Sequence, residues 1–330
     1  MRSSEPIRPS SRRGASGAWN RLKPVREDVL ETYGLPSKGE TRLNDFKTQE
    51  TYLSRIIERY MKLCALNREQ LDRLFASVSE SKIAENDLSN SFSSLSVSKP
   101  ITGGLATSKY ASRPTTTTTT TTTASNPPPE PHPSIEELAT VLQALRKLRE
   151  AITASNRTDT FARRAYYFNI HVAILCHDWE SYVPALHSLL NTLHPRNPLP
   201  PHDLRDFVGL MILDQACRQQ DYAGARATKL AYRHADRHVE AVVRALVSDD
   251  WVGFWRVRRA VDGYQRGVME WADGRVRVHA LKCLGKAYMR ADRRFVERCA
   301  ERGWDDLVVD GVGWELDEAG VVVIRKVKGS

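Results

Sequence analysis

The sequence predicts a mainly helical protein, in which a helical-repeat solenoid runs into a C-terminal winged helix behind a long disordered N-terminal region. Three observations predict it. An Asp–aromatic joint between amphipathic helices recurs at His177-Asp178-Trp179, Gln220-Asp221-Tyr222 and Asp249-Asp250-Trp251. The first clear β pattern lies at the far end, as Gly313-Trp314-Glu315-Leu316 and Val321-Val322-Val323-Ile324 around the turn Asp317-Glu318-Ala319-Gly320, which reads as a hairpin. Ahead of Ser134, two long stretches have the composition of chain that cannot bury a core, and one contains nine consecutive threonines, Thr115–Thr123.

Residues 1–43 are rich in Arg, Ser, Pro and Gly and carry no periodicity. Residues 1–26 hold seven basic groups and one acid, Glu5, so this is expected to be a disordered basic leader. The composition also fits a transit peptide, a reading that Pro6 and Pro9 disfavour by interrupting its amphipathic helix; a nuclear-localisation signal or a nucleic-acid-binding arm ranks above it, and a solvated tail is favoured over each. No apolar h-region follows Met1, so no secretory signal is expected. Residues 44–78 are expected to form amphipathic helices. Phe46, Tyr52, Leu53, Ile56, Ile57, Tyr60, Met61, Leu63 and Cys64 recur near helical spacing, and Leu71, Leu74, Phe75 and Val78 form a shorter stripe. Such a stripe must be buried against something, either the main body or a partner. Residues 79–133, Ser/Thr/Pro-rich, read as a flexible tether.

The packed region begins at Ser134, expected to N-cap helix Ile135–Thr153 with Glu137 at the capping-box position. Residues 134–262 then carry TPR-like helix pairs. Helices Phe161–Cys176, Leu204–Arg218 and Val239–Val247 each end in a polar joint. Helices Tyr182–Leu193, Ala223–Tyr232 and Val252–Val261 follow, with the Asp in the first turn and the aromatic expected to wedge between the two helices. Residues 263–327 change grammar. Helices Tyr264–Trp271 and Arg275–Met289 lead to a short helix capped by Asp292, and the hairpin closes the winged helix.

Composition excludes several functions. Of 330 residues, 41% are hydrophobic and 27% charged, with a mean hydropathy of −0.46, and no run approaches a membrane span. Five scattered cysteines (Cys64, Cys176, Cys217, Cys283, Cys299) suggest reduced thiols, hence cytoplasm and/or nucleus. There is no Walker A loop or H-E-x-x-H, and no two histidines stand two apart. His234 and His238 stand at i, i+4, but flanking Arg233 and Arg237 would repel a metal. Cys176 reads as core and not as the partner of His177, and Gly311-Val312-Gly313 as the entry to the wing. No enzyme, cofactor, metal, small-molecule substrate or membrane partner is therefore expected.

The net charge of +9 has a local source. Residues 256–302 carry thirteen Arg/Lys against six acids. Arg256, Arg258, Arg259, Arg290, Arg293, Arg294 and Arg298, with Arg325 and Lys326 from the wing, are the candidates for contact with a partner or with RNA phosphate, without base reading. Glu315, Asp317 and Glu318 on the wing oppose phosphate.

The stretches Asp250-Trp251-Val252-Gly253-Phe254-Trp255 and Arg277-Val278-His279-Ala280-Leu281, then Ala287-Tyr288 with Asp292, and Gly313-Trp314 with Glu318 and Gly320, resemble PCI domains. The likeness covers residues 134–327. It is to the compact branch that groups signalosome subunit eight, the proteasome lid's Nin-one-type subunit and subunit k of eukaryotic initiation factor three; the Sac/GANP type of mRNA export complexes is the sister branch. Two departures accompany it: room for only a short third helix between Arg302 and Gly313, and an end at Ser330 directly after the wing, which argues against stable seating in a lid-type helical bundle. The resemblance implies a non-catalytic scaffold whose partners are other protein subunits, PCI-containing ones among them. The wing edge (Trp314, Val321, Val323) would be a contact surface, with Trp251, Trp255 and Tyr264 at or near others, although burial is the favoured reading of Trp251 and Trp255.

Overall fold

The structure, a computed structural model, describes residues 30–66 and 133–325. The basic leader before residue 30, the shorter helix expected at Leu71–Val78, the linker up to residue 132 and Lys326 lie outside the described residues. Within them the chain is mainly helical, with one small sheet.

Helix α1 (Phe46–Leu66) forms where amphipathic spacing predicts it. Asp45 starts it, accepting from the backbone N–H (2.9 Å) and hydroxyl (2.8 Å) of Thr48. Tyr52, Leu53, Ile56 and Leu63 are buried in one core with Leu138, Val141, Leu142, Leu145 and Leu148 of α2 (Pro133–Ala154). Each such side chain contributes roughly 1.5–3 kcal/mol on leaving water, so α1 is held on the main body of its own chain. Helix α2 begins at Pro133, a favoured first position, which puts Ser134 inside the helix instead of at its cap.

Residues 30–43 correct the expectation of a disordered leader. Leu30 and Leu43 are buried, and the Leu30 carbonyl accepts from the Tyr52 hydroxyl (2.9 Å) and Lys147 Nζ (3.0 Å). Ser37 Oγ donates to Glu150 Oε2 at 2.8 Å. The segment lacks helical period because it packs as two short 3-10 turns, Pro36–Lys38 and Arg42–Asn44, the first ended by Gly39 at φ 94°. Arg157, just past α2, closes this end of the molecule. Its guanidinium donates to the Phe46 carbonyl (2.9 Å) and Gln49 Oε1 (3.3 Å), pairs with Glu50 and Asp159, and lies over the rings of Phe46 and Phe161.

Three helix pairs follow: α3 (Thr160–Leu175) with α4 (Trp179–His187), α5 (Pro201–Cys217) with α6 (Tyr222–Ala231), and α7 (Arg237–Val247) with α8 (Trp251–Ala260). Helix α4 runs on through a π segment, Ser188–Leu193. The three joints share one backbone geometry. His177, Gln220 and Asp249 are left-handed, with φ of 52°, 58° and 54°. Asp178, Asp221 and Asp250 then take nearly the same conformation, with ψ of 82°, 80° and 81°. Asp221 and Asp250 each accept an N–H at 2.8 Å, from Gly224 and Gly253, while Asp178 accepts the Ser181 hydroxyl at 2.7 Å. At the two glycines the reason is steric: a Cβ on Gly224 or Gly253 would lie 2.1 or 2.3 Å from the capping carboxylate, whereas Ser181 keeps its Cβ and offers Asp178 its hydroxyl instead.

The aromatics do not all wedge as expected. Trp179 is exposed beneath the Arg218 guanidinium (4.8 Å), Tyr222 is half-buried, and Trp251 packs against both core clusters. The tie between α4 and α5 is polar instead. Buried Asp214 accepts from the Tyr182 hydroxyl (2.6 Å), Arg218 Nε (2.7 Å) and Gln219 Nε2 (2.7 Å), so its charge is fully partnered.

Helix α9 (Gly263–Ala287) replaces the two helices expected there. Asp262 caps it by accepting from Tyr264 and Gln265 N–H. Gly274 costs about 1 kcal/mol in a helix interior, yet the helix runs through because its two halves are anchored in different cores. Val268, Met269, Ala272 and Val276 belong to the larger cluster, and Val278, Leu281 and Leu284 to a second one. At Gly267 the helix crosses α3 so closely that a Cβ would stand 3.0 Å from Ile174 Cγ2.

After α9 come β1 (Arg290–Asp292), α10 (Arg293–Ala300), α11 (Trp304–Val309), β2 (Glu315–Leu316) and β3 (Val321–Val323). Asp292 caps α10 as expected, accepting from Phe295 N–H at 3.1 Å. The hairpin forms at the expected turn, with Asp317 N–H on the Val321 carbonyl and Gly320 N–H on Asp317. The sheet is antiparallel in the order β1-β3-β2, pairing Ala291 and Leu316 with Val322 from opposite sides. Two donors from the helical body hold the end of α10: Trp255 Nε1 reaches the Cys299 carbonyl (3.1 Å) and Arg277 Nε the Ala300 carbonyl (3.0 Å). These are last-turn carbonyls with no intrahelical partner.

Candidate functional site

The basic cluster does not survive as one surface. Arg258 on α8 is tied to Asp273 (2.8 Å) and Glu270 (3.2 Å) of α9, and Glu270 also meets His177 Nε2 at 2.6 Å. This network braces α8 and α9 against the first joint. Burial pushes Asp273 up to about 7, against the opposing pull of Arg258. Arg259 pairs with Glu301, Arg290 with Asp317 (3.6 Å), and Arg302 with Asp310 (3.0 Å). Arg293 bonds Glu297 at 2.8 Å, and Glu297 also accepts the Trp304 N–H at 2.9 Å. Those two contacts hold the Glu297 carboxyl below the usual range and join α10 to α11. Arg277 is buried, and the terminal nitrogens of Arg275 are enclosed among protein atoms.

What is left for an outside contact is smaller. Arg256 on α8, Arg294 and Arg298 one turn apart on α10, Lys282 and Lys286 one turn apart on α9, and Arg325 after β3 are exposed and make no ion pair among the described residues. Arg294 and Arg298 are presented by α10, not by α11. The latter has six residues, starts Trp304-Asp305-Asp306 and leaves Val308 and Val309 exposed. Acids in the first turn of a helix repel phosphate, so both the length and the charge of α11 disfavour groove reading by it.

The residues expected at a wing edge are placed differently from expectation. Trp314 is buried in the second core, and β3 is the middle strand of the sheet, paired on both sides. Val321 and Val323 therefore offer no open backbone edge. The correction comes from β1, a three-residue strand too short and polar to announce itself in the sequence. The open edges belong to β1 and β2. Val323 instead faces a broad concavity with Met289, Arg290, Leu316 and Arg325. Trp255 is buried, in line with the favoured reading. Tyr264 is partly exposed and stacks on His171 at 4.0 Å.

The histidines and cysteines considered at the outset have structural neighbours. His234 is buried with Nε2 at 3.1 Å from the Arg205 carbonyl, whereas His238 is partly exposed beside Asp236. Cys176 is core, as expected, and burial raises its thiol. The sequence reading missed an apolar groove between α6 and α7 that runs over Ile212, Val239, Val243 and Val247. The four-residue spacing of the three valines was its one visible signal. No protein-family model matches the chain, and no curated protein matches its sequence.

Proposed function

We propose that this chain is a non-catalytic scaffold or adaptor subunit of PCI type: a helical solenoid and a winged helix acting together as one assembly surface. The observation that carries the reading is the order of the C-terminal elements. Helix, strand, two helices and two strands, with the first strand beside the last, is the order a winged helix calls for and supports that reading. The three preceding helix pairs, joined in one geometry, support a stacked repeat. Helix α9 joins the two parts with one foot in each core, a design suited to presenting two surfaces in a fixed relation. Exposed Val308, Val309, Met289 and Leu316 fit contact with protein better than with phosphate.

The test is purification of the tagged full-length chain from its native cells at moderate salt, with and without nuclease. Stoichiometric protein partners retained after nuclease are the expected result, and their identity names the complex: lid, signalosome, initiation factor or another. Partners that vanish with nuclease would overturn the reading in favour of sequence-independent RNA contact. That second reading rests on Arg294 and Arg298, which stand unpaired on one face of α10. It carries its own signature, a steep loss of binding with salt.

A further inference from the structure

Between α6 and α7 lies a groove of about 430 Å3. Ile212 of α5 forms its floor, with Ala225 on one wall and Val239 on the other, all buried. It stays open because of what α6 puts there. After Tyr222 at one end, the lining residues of α6 are Ala223, Ala225, Arg226 and Lys229. Alanines are too short to reach across, and the two long side chains keep their charges in water. Helix α7 supplies the other wall as Val239, Val243 and Val247, a stripe that passes from buried through half-buried to 60% exposed at Val247. An apolar stripe of this kind meets a facing element when it is satisfied. Here its last turn is open to solvent.

Charge and length narrow what fits. Arg226, Lys229 and Arg244 line the groove against a single acid, Glu240, which Lys229 engages at 3.0 Å. Arg226 and Arg244 are exposed and make no ion pair among the described residues. Burial lowers the His234 imidazole, against the opposing pull of the Arg205 carbonyl that its Nε2 meets at 3.1 Å. With ten residues in α6 and eleven in α7, the groove runs for about 15 Å, or roughly three turns of a helix laid in it.

We propose that this groove is the docking site for an acidic amphipathic helix of a partner protein. The helix would set its apolar face on Val239, Val243 and Val247 and its carboxylates against Arg226 and Arg244. The proposal deepens the scaffold reading and rests on it for the existence of a partner, but the groove can be tested by itself.

The full-length protein is titrated into a fluorescein-labelled amphipathic peptide of about 18 residues, roughly five helical turns, with leucines along one face and glutamates elsewhere. A second peptide carries lysine in place of each glutamate. Saturable binding of the glutamate peptide is expected, with the lysine peptide at least about tenfold weaker. Val247→Glu and Arg244→Glu, both at exposed positions where substitution leaves folding intact, should each weaken the glutamate peptide by about tenfold or more, with unchanged thermal melts. The proposal is overturned by absent glutamate-peptide binding, by equal binding of the lysine peptide, or by variants that bind as the parent does. It is also overturned if a benzophenone placed at position 247 crosslinks to residues 67–132 of the same chain or to a second copy. Peptide binding without co-purifying partners would remove the scaffold reading and leave the groove. Partners retained by a chain whose groove binds no peptide would remove the groove alone.

Discussion

Replacing Arg157 by alanine tests whether α1 is latched to the body through one guanidinium. The side chain is 3% exposed, so the guanidinium itself cannot turn to water without local opening. Alanine strips the donor from the Phe46 carbonyl and from Gln49 Oε1, each about 1 kcal/mol. It also removes the cation from between the Phe46 and Phe161 rings, about 0.5–1 kcal/mol per ring. The pairs with Glu50 and Asp159 add less, because those carboxylates are half exposed, about 0.2–1 kcal/mol each. The contacts to Asp159 and Phe161 stay within the body when α1 opens, so those that reach α1, to Phe46, Gln49 and Glu50, come together to about 3 kcal/mol. At a factor of ten per 1.4 kcal/mol, local opening of α1 should rise by roughly a hundredfold, or to the unprotected limit if docking is weaker than that. Native-state hydrogen exchange reads this directly. Amides of residues 46–66 should speed up, while those of α5, away from the latch, stay as they are. Arg157→Lys keeps the charge but loses the fork and should fall between. The reasoning is refuted if α1 stays protected in Arg157→Ala, or if α1 and α5 speed up together.

Three further outcomes follow from other joints of the structure. Asp221→Ala and Asp250→Ala should each cost about 1 kcal/mol, the worth of an N-cap, and should add in the double variant because the joints share no partner; a urea-unfolding series measures both. Trp255→Phe leaves the Cys299 carbonyl without its donor and should cost about 1–3 kcal/mol in the same assay, with the larger share of lost protection in α10; unchanged stability would show the contact to be idle. Asp273 gives a pH dependence of known sign. Its folded pKa, about 7, lies above that of an unfolded carboxylate, so the folded state keeps the proton longer and the group's contribution falls as pH rises towards and through 7. The melting temperature of Asp273→Asn relative to the parent should therefore climb between pH 5 and pH 8, and a flat or falling difference would contradict it.

Helix positions were legible in the sequence wherever one amphipathic face meets one core. The period of Leu138 to Leu148, the three joints, and the helices after Asp221 and Asp250 could be read almost to the residue because capping and apolar spacing are local properties, whereas the helix after Asp178 starts at Trp179, three residues before its expected start. Helix α9 was not legible as one element. It buries Val276 on one core and Val278 on another, so its apolar residues wrap the helix and break the single stripe on which such a reading depends. Residues 30–43 failed for the opposite reason: Leu30 and Leu43 are buried at isolated positions in irregular backbone, which has no period to find. The candidate surface failed through pairing. Arg258, Arg259, Arg290 and Arg293 stand in the chain as a run of charge, yet Glu270, Asp273, Glu297, Glu301 and Asp317 engage them, four of these acids from outside the element that carries the arginine.

By itself the sequence determined that the protein is mainly helical, that three Asp joints punctuate it, and that a hairpin lies near its end, because each depends on residues a few positions apart. The tertiary structure decided which charges are free, which strand is central, and where α1 lies. Those outcomes depend on distant groups meeting: β1 entering beside β3, Arg157 reaching across to α1, and α6 leaving the valine stripe of α7 uncovered. Contact energies of this kind are set by which surfaces exclude water together, and that is not a property of any single stretch of chain.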